Sequence, residues 1–370
     1  MNKTKLITLS ATLLLALCQV GTAQVSASSN PLRVGIAGLS HAHVGWILGR
    51  GDKDDVVMVG IYEPDSAMAK RYSERFGYSM DLVYDDLDEM LEKVEPEAVL
   101  AFNSIYGHLE VVQKCAPKGI HVMVEKPLAV NLKHAKKMEK LATENNIQLL
   151  TNYETTWYPT NHKTYEMVNE NAIGKVRKII VRDGHKGPKE IGVNQEFLDW
   201  LTDPILNGGG AVIDFGCYGA NLITWLMNGE KPTSVYALTK TLKPDVYPKV
   251  DDEATIIVNY PNAQGIIQAS WNWPFSRKDM DIYGQTGYIS TVDNSNMRFK
   301  LDPKSKEETL TLGTRGYPYD DPFAFLAGVL RGKIVVGDKD LSSLENNMIV
   351  VEILDAAIRS AKTGKEVKLN

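Results

Sequence analysis

The sequence predicts an α/β protein: an N-terminal doubly wound parallel sheet, then a C-terminal α+β domain on a large, mainly antiparallel sheet. Three observations predict it. Between residues 32 and 150 short apolar runs alternate with helical patterns, which is the signature of repeated βαβ units. Beyond residue 153 strand-like runs follow one another, "KIIVRDG", "TSVYALTKT", "ATIIVNY", "GIIQASWNW" and "MDIYG", separated by turn residues. A length of 370 residues with 44% hydrophobic and 24% charged content suffices for two ordinary globular domains.

The chain opens with MNKTKLITLSATLLLALCQVGTAQ, a lysine-bearing start, an apolar run over 6–20, and small residues at Gly21 and Ala23. This reads as a secretory leader, 1–23, cleaved after Ala23, which places the mature protein in the periplasm or outside the cell. The run is shorter than the roughly 20 apolar residues a membrane span needs, and Thr8, Ser10 and Thr12 interrupt it. Cys18 follows the bulky Leu17, against the small residue a lipid-modified site prefers. Cys115 and Cys217 alone remain after cleavage, so no disulfide framework is expected. The formal charge of −5 becomes −7 without Lys3 and Lys5, and no basic stripe with interleaved aromatics appears, which excludes nucleic acid as the natural partner.

In the first domain, 31–152, strands are expected at 33–37, 56–62, 98–102, 121–124 and 147–152, with helices at 65–76, 87–93 and 132–145 among them. The stretch "VGIAGLSHAHV" runs from the first strand into what a dinucleotide fingerprint would make G-x-G-x-x-G, the mark of a Rossmann domain. Gly38 fits. Ser40 replaces the glycine that lets pyrophosphate approach bare backbone, adding a hydroxyl donor. His43 replaces the glycine that allows close helix packing, so either the helix is displaced or the side chain turns outward. The loop residues Gly38, Ser40, His41 and His43 are assigned to the cofactor. The second strand ends in Glu63, placed to take ribose hydroxyls and to repel a 2′-phosphate, which favours NAD over NADP.

In the second domain, 153–370, helical segments are expected near 161–170, 210–227 and, as the last helix, 342–361. If 210–227 is one helix, Asp214, Tyr218 and Asn221 stand at spacings of four and three and share a face. Gly216 and Gly219 would weaken it by roughly 1 kcal/mol each relative to alanine, which signals close approach to the cofactor or a facing strand.

Two stretches, "GIHVMVEKPLAV" with Glu125-Lys126-Pro127 and "NGGGAVIDFGCYGANLITWL" with Asp214, Tyr218 and Asn221, resemble the glucose-fructose oxidoreductase and inositol dehydrogenase family, Gfo/Idh/MocA. The resemblance runs from Arg33 to the closing "SLENNMIVVEILDAAIRSAKTGKEVKL". It implies that Lys126 is the catalytic lysine beside the nicotinamide, and that the second sheet is open-faced and mediates a homo-oligomer, a dimer or tetramer. Many members carry histidine where this chain has Tyr218 and aspartate where it has Asn221; tyrosine resembles the glucose-fructose oxidoreductase and dihydrodiol dehydrogenase branch. His108 in "FNSIYGH" corresponds to the family's histidine in a P-x-x-x-H turn, with Ser104 in place of the proline, and Asn103, His108 and Glu125 are expected near the nicotinamide.

Oxidising a secondary alcohol requires a hydride acceptor and a base. A free tyrosine is ionised in about one molecule in a thousand at pH 7, and a nearby ammonium lowering its pKa by about two units would raise that to roughly one in eleven. Tyr218 is therefore expected as acid/base, Lys126 as its electrostatic partner and proton route, and Asp214 as the group orienting substrate hydroxyls or Lys126. Spacing leaves open whether Lys126 or Tyr218 touches the reacting oxygen.

Substrate contacts are expected from Tyr153, Glu154 and Trp157, beyond the last strand of the first domain, from His185 and Lys186 at a strand end, and from Asn221. Trp271 and Trp273 alternate by two and share a sheet face, where they serve a sugar ring or a subunit interface. His41 and His43, at i and i+2, would point apart on a helix, so no metal is expected.

The leading expectation is an exported NAD-using oxidoreductase acting on CH–OH groups of a sugar, glycoside or cyclic polyol. Free NAD is scarce outside the cytoplasm, so the cofactor would be tightly held. Two alternatives stay open: a redox-neutral NAD-dependent glycosidase or epimerase, and a nucleotide- or sugar-binding protein without turnover.

Overall fold

The computed structural model describes residues 30–51 and 53–369, so the leader expected over 1–23 lies outside the described residues. Six parallel strands, β1 (Leu32–Ala37), β2 (Val56–Tyr62), β3 (Val83–Tyr84), β4 (Ala98–Ala101), β5 (His121–Glu125) and β6 (Leu149–Asn152), stand in the order β3-β2-β1-β4-β5-β6. The order reverses between β1 and β4, the place where a doubly wound sheet opens its ligand crevice. Strand β4 is buried throughout, as a parallel strand covered on both faces must be. The helices between strands start where side chains supply the missing acceptors: Asp65 accepts from Ala67 and Met68, Asp86 from Glu89, and Asn131 from His134.

The second sheet has nine strands: β7 (Val176–Gly184), β8 (Ser234–Lys240), β9 (Glu253–Asn259), β10 (Gln264–Ser270), β11 (Arg277–Gly284), β12 (Tyr288–Thr291), β13 (Asn296–Lys300), β14 (Glu308–Thr311) and β15 (Val367–Lys368). Their order is β14-β13-β12-β11-β7-β10-β9-β8-β15. Every pairing is antiparallel except β7 with β10. One face packs on the helix Gly216–Leu226, all of whose residues are buried, as expected of a helix apolar all round. The C-terminal helix Leu344–Thr363 lies against both that helix and Leu132–Glu144, locking the two halves together.

Three differences from the sequence expectation bear on the site. The segment 210–227 is two helices, Ala211–Asp214 and Gly216–Leu226, broken at Phe215. The helix after β1 is only Val44–Leu48, and the sheet face it leaves is covered by Pro322–Leu330, whose Phe323, Phe325 and Leu326 pack with Leu32, Val34 and Ile36. The close approach signalled by Gly219 is to the facing strand: a Cβ there would stand 2.5 Å from the Ile267 side chain on β10. Among the described residues no helix is long and apolar enough to cross a membrane.

Candidate active site

Gly38 makes the turn after β1 with φ +84°, and a Cβ would lie 2.7 Å from that of Asn103 at the end of β4. The loop is tied down from both neighbours. The N–H groups of Leu39 and Asp65 each donate to Glu63 at 2.9 Å, and the His41 N–H donates to the Phe102 carbonyl at 2.8 Å. Glu63 thus stands at the end of β2, as expected, but spends its carboxylate first on shaping the loop. Ser40 and Ala42 keep their N–H groups free of the described residues, and Asn103 Oδ1 and His108 Nε2 are buried without a partner. These unspent donors and acceptors at the crevice fit the polar groups of a dinucleotide. The far side of the loop is covered by the helix Gln195–Leu201: the His41 ring packs on Phe197 and Trp200, and Asn194 donates to the Ser40 carbonyl at 3.4 Å.

His41 and His43 do not point apart. They sit in the turn before the helix, not on it, and both aim at Glu125, with the three groups' ligand atoms within 4.8 Å of one another. Of the two, only His43 hydrogen-bonds to Glu125; His41 Nε2 is buried without a hydrogen-bond partner. The His43 N–H donates to His41 Nδ1 at 3.1 Å, which leaves the neutral imidazole's proton on Nε2, facing Glu125 at 3.9 Å. His43 Nδ1 lies 2.9 Å from Glu125 Oε2, its ring turned outward and stacked on Trp46, and Asn152 donates to Glu125 Oε1 at 2.8 Å. Burial would raise the Glu125 pKa, but its electrostatic interactions with the His43 and His41 rings and its hydrogen bonds from His43 and Asn152 outweigh it and hold it at about 2.

The next residue, Lys126, reaches the other domain. Its Nζ lies 2.5 Å from Asp214 Oδ1, both side chains buried, and Asp214 Oδ2 accepts from Trp271 Nε1 at 2.9 Å. Burial would pull the ammonium down, but Asp214 keeps it protonated; burial would push the carboxyl up, but Lys126 keeps it below the usual range. Tyr218 shares their cavity. Its ring lies 5.2 Å from Lys126 Nζ and 4.5 Å from Lys278 Nζ, centroid to nitrogen. The expected fall in the Tyr218 pKa is overturned: burial, with Glu154 and Asp183 adding to it, raises the phenol well above its ordinary value. The ammonium ions lie over the ring, and desolvation of a phenolate outweighs their attraction. Tyr218 is a phenol, and hence a proton donor.

These groups line a cavity of about 1080 Å³ that also takes in His41, His43, Glu154 and His185. Glu154 pairs with Lys278 and accepts from the Tyr158 hydroxyl at 2.5 Å. Four expected substrate contacts lie elsewhere. Tyr153 is fully buried beneath Tyr218, ring against ring at 5.5 Å. Trp157 donates to Asn152 and lines an adjacent groove with Trp46 and Pro322. Lys186 is exposed on a turn outside the cavity wall. Asn221 donates to the Leu341 carbonyl at 2.8 Å, in the seam with the C-terminal helix, because on a helix wrapped on every side the rotation from Tyr218 carries it off the cavity. His108 is also buried, Nδ1 against the Leu128 carbonyl, with burial lowering its pKa to about 4. Sequence reading missed Lys278 and Asp183, which face each other across β11 and β7, and the tie from Trp271 to Asp214. The alternation in "SRKDMDIYG" was the available signal for Lys278.

Comparison with known proteins agrees with this geometry. The family model described as "Oxidoreductase family, NAD-binding Rossmann fold" matches residues 32–153, and "GFO/IDH/MocA C-terminal domain" matches 162–290. The chain is 24% identical over 324 residues to trans-1,2-dihydrobenzene-1,2-diol dehydrogenase of Xenopus tropicalis, covering 82% of this chain and 90% of that one. It is 26% identical over 266 residues to myo-inositol 2-dehydrogenase of Thermotoga maritima, covering 70% and 74%. In fold it is similar to an inositol dehydrogenase homologue of Azotobacter vinelandii complexed with NAD+, at TM-score 0.79 and 17% identity over 92% of this chain and 98% of that one. The aldose-aldose oxidoreductase of Caulobacter crescentus complexed with glycerol gives 0.77 and 20% over 92% and 100%. With both of its domains matched, the chain belongs to the Gfo/Idh/MocA oxidoreductase family and carries that family's NAD-binding Rossmann domain.

Proposed function

We propose that the protein is an NAD(H)-dependent dehydrogenase acting on a CH–OH group of a sugar, glycoside or cyclic polyol. The observation that carries this reading is the buried Lys126–Asp214 pair beside Tyr218 on the wall of one large cavity of mixed polar and apolar lining. Bound NAD supplies the hydride acceptor; Ser40, Ala42 and Asn103 have the unspent polar groups to hold it, and Glu63 stands at the ribose end. The chain's own groups handle the proton. Lys126 donates a hydrogen bond to the reacting oxygen and stabilises the alkoxide that forms as the hydroxyl proton passes through Lys126 to Asp214, and that alkoxide becomes the carbonyl as its carbon gives up the hydride. In the reductive direction the same ammonium protonates the carbonyl oxygen. Tyr218 donates to the substrate as a phenol, and His185 and Glu154 meet its other hydroxyls. Dehydrogenase relatives acting on a diol and an inositol support a polyhydroxyl substrate. The leader makes the protein exported, with tightly held cofactor, and the exposed side of the second sheet, where Leu238 and Tyr283 stand open, supports a homo-oligomer.

The test begins with heat-denatured purified protein, whose supernatant is expected to contain NAD or NADH by mass spectrometry. A panel of sugars and glycosides with an artificial electron acceptor should then yield a keto product. K126A should lower turnover by at least about a hundredfold while leaving NAD affinity within threefold. No nucleotide released and none bound on addition would favour the binding protein; aglycone released without net reduction would favour the redox-neutral glycosidase.

A further inference from the structure

Beside the reacting cavity lies a groove of about 370 Å³, and the two share Glu154, Tyr158 and Asn294. A stacked pair of rings spans both: His43 lines the cavity, and Trp46, 3.8 Å away between centroids and nearly parallel at 14°, lines the groove. The route from the reacting centre is short. Lys278 Nζ, 4.5 Å from the centroid of the Tyr218 ring, bonds Glu154, and Glu154 accepts from Tyr158 on the groove wall. That wall is flat and apolar, made by Trp46, Trp157, Tyr158, Pro159, Pro322 and Phe323, joined by Leu312 from the segment after β14. It stands clear of the open side of the nine-stranded sheet. Trp157 and Phe323 pack on the core of the first domain, Trp46 stands on Val44–Leu48, and Leu312 packs with the core on the helix side of the sheet.

Size and wall chemistry together select an occupant. At about 370 Å³ the groove stands at the small end of the range of roughly 300–1,000 Å³ usual for small-ligand sites, room for a single ring. Its polar side chains are largely spent on the protein. Glu154 takes Lys278 and Tyr158; Asp321 takes the N–H groups of Phe323 and Ala324 together with Arg50 and Lys53. Ser295 donates to Asn294 Oδ1, and the Trp157 indole turns its N–H to Asn152. A second sugar ring would therefore bring hydroxyls to a wall with few partners left, at the cost of their desolvation. The charged residues lining the groove are the acids Glu154, Asp320 and Asp321, which turn away an anion. A cation gains little, because Glu154 and Asp321 are already neutralised by Lys278 and by Arg50 and Lys53. An uncharged aromatic ring gives up no hydrogen bonds and stacks on the indoles.

We infer that the groove is an aglycone subsite and that the substrate is a glycoside whose sugar lies at Lys126 and Tyr218 and whose uncharged aryl group lies on Trp46 and Trp157. This rests on the dehydrogenase reading of the cavity. The test uses the full purified protein with an artificial electron acceptor and compares phenyl α- and β-glycosides of glucose, galactose, mannose and xylose with the methyl glycosides of the same sugars and with cellobiose, lactose and maltose. The expected result is a kcat/KM at least about tenfold higher for one or more phenyl glycosides than for the methyl counterpart. W46A and L312A should each cut that ratio at least about threefold, and the ratio cancels any loss common to both substrates. Saturation-transfer NMR supplies a readout without turnover: the phenyl protons should receive saturation with the wild-type protein and lose it with W46A. A phenyl group held in this way by a protein that oxidises no sugar, or that releases phenol without net oxidation, would refute the dehydrogenase and leave the subsite standing. A disaccharide preferred to every phenyl glycoside, no phenyl group saturated, or a ratio that either variant leaves unmoved would overturn the subsite.

Discussion

Asp214 carries two bonds that set its chemistry, one to Lys126 and one from the indole of Trp271. Replacing Trp271 with phenylalanine removes the indole donor while keeping an aromatic ring in a fully buried position. Loss of a donor to a charged group costs about 1.5–3 kcal/mol and raises the carboxyl pKa. W271F is therefore expected to lower kcat roughly tenfold and to move the acidic limb of the kcat–pH profile upward, with NAD affinity unchanged; an unmoved limb would refute the role of Trp271. At this scale the sequence was legible where a motif names the residue. Lys126 and Asp214 come from E-K-P and from the glycine-rich helix start, and they meet. The ionisation of Tyr218 was not legible, because an argument from one neighbouring ammonium omits desolvation, which depends on every atom packed round the ring. Asn221 failed for a related reason: three residues along a helix is one face in an isolated helix, but here it separates cavity from seam.

Elements repeat the lesson. Strand β2 runs over the residues expected of it, and β1, β4, β5 and β6 differ by one or two residues at their ends, since buried parallel strands announce themselves as apolar runs. The break at Phe215 has no local sequence signal, and the short helix before it is held at its start by contact: the Gly210 backbone sits against Asp251, whose carboxylate accepts from the N–H groups of Gly210 and Val212. Nor did any local pattern indicate that Gln195–Leu201 would lie over the turn after β1. That helix has seven residues, too few to be stable alone, and besides Phe197 and Trp200 its polar ties to the first domain are Arg71–Glu196 and the contacts of Asn194. It packs on the loop whose free N–H groups a dinucleotide needs, through the His41 ring and the Ser40 carbonyl, so a bound cofactor should steady it. Hydrogen exchange is the measure: amides of 195–201 should exchange several-fold more slowly with NAD than without. Equal exchange in the two states would show that the helix takes no part in holding the cofactor.

The whole molecule gathers the buried histidines and carboxyls into a pH dependence whose sign can be worked out. His108 has a folded pKa of about 4, and burial takes His41 well below its ordinary 6.5. For both, the unfolded chain binds protons that the folded chain refuses, so stability is present above about pH 6.5 and is lost as the pH falls; for His108 the full loss by pH 4 is on the order of 3 kcal/mol. Glu125, held at about 2 against an ordinary 4.5, extends the loss below pH 4.5. Asp251 opposes it. Burial raises its pKa to about 6, so the folded chain gains protons first between about 6 and 3.8 and recovers a similar amount, with Asp183 acting in the same direction. His162 joins the histidines with a pKa of about 4, and Glu63 and Asp340, raised by burial, join Asp251; the histidines begin to lose stability from about pH 6.5, above the range in which Asp251 takes up its proton. The melting temperature should accordingly fall steadily from about pH 6.5 to pH 4 and more steeply below it. H108Q, which cannot take up the proton, should flatten the upper part of that fall; a melting temperature that stays level or rises toward pH 4.5 would mean that the buried carboxyls, rather than the imidazoles round the crevice, govern the stability of the fold.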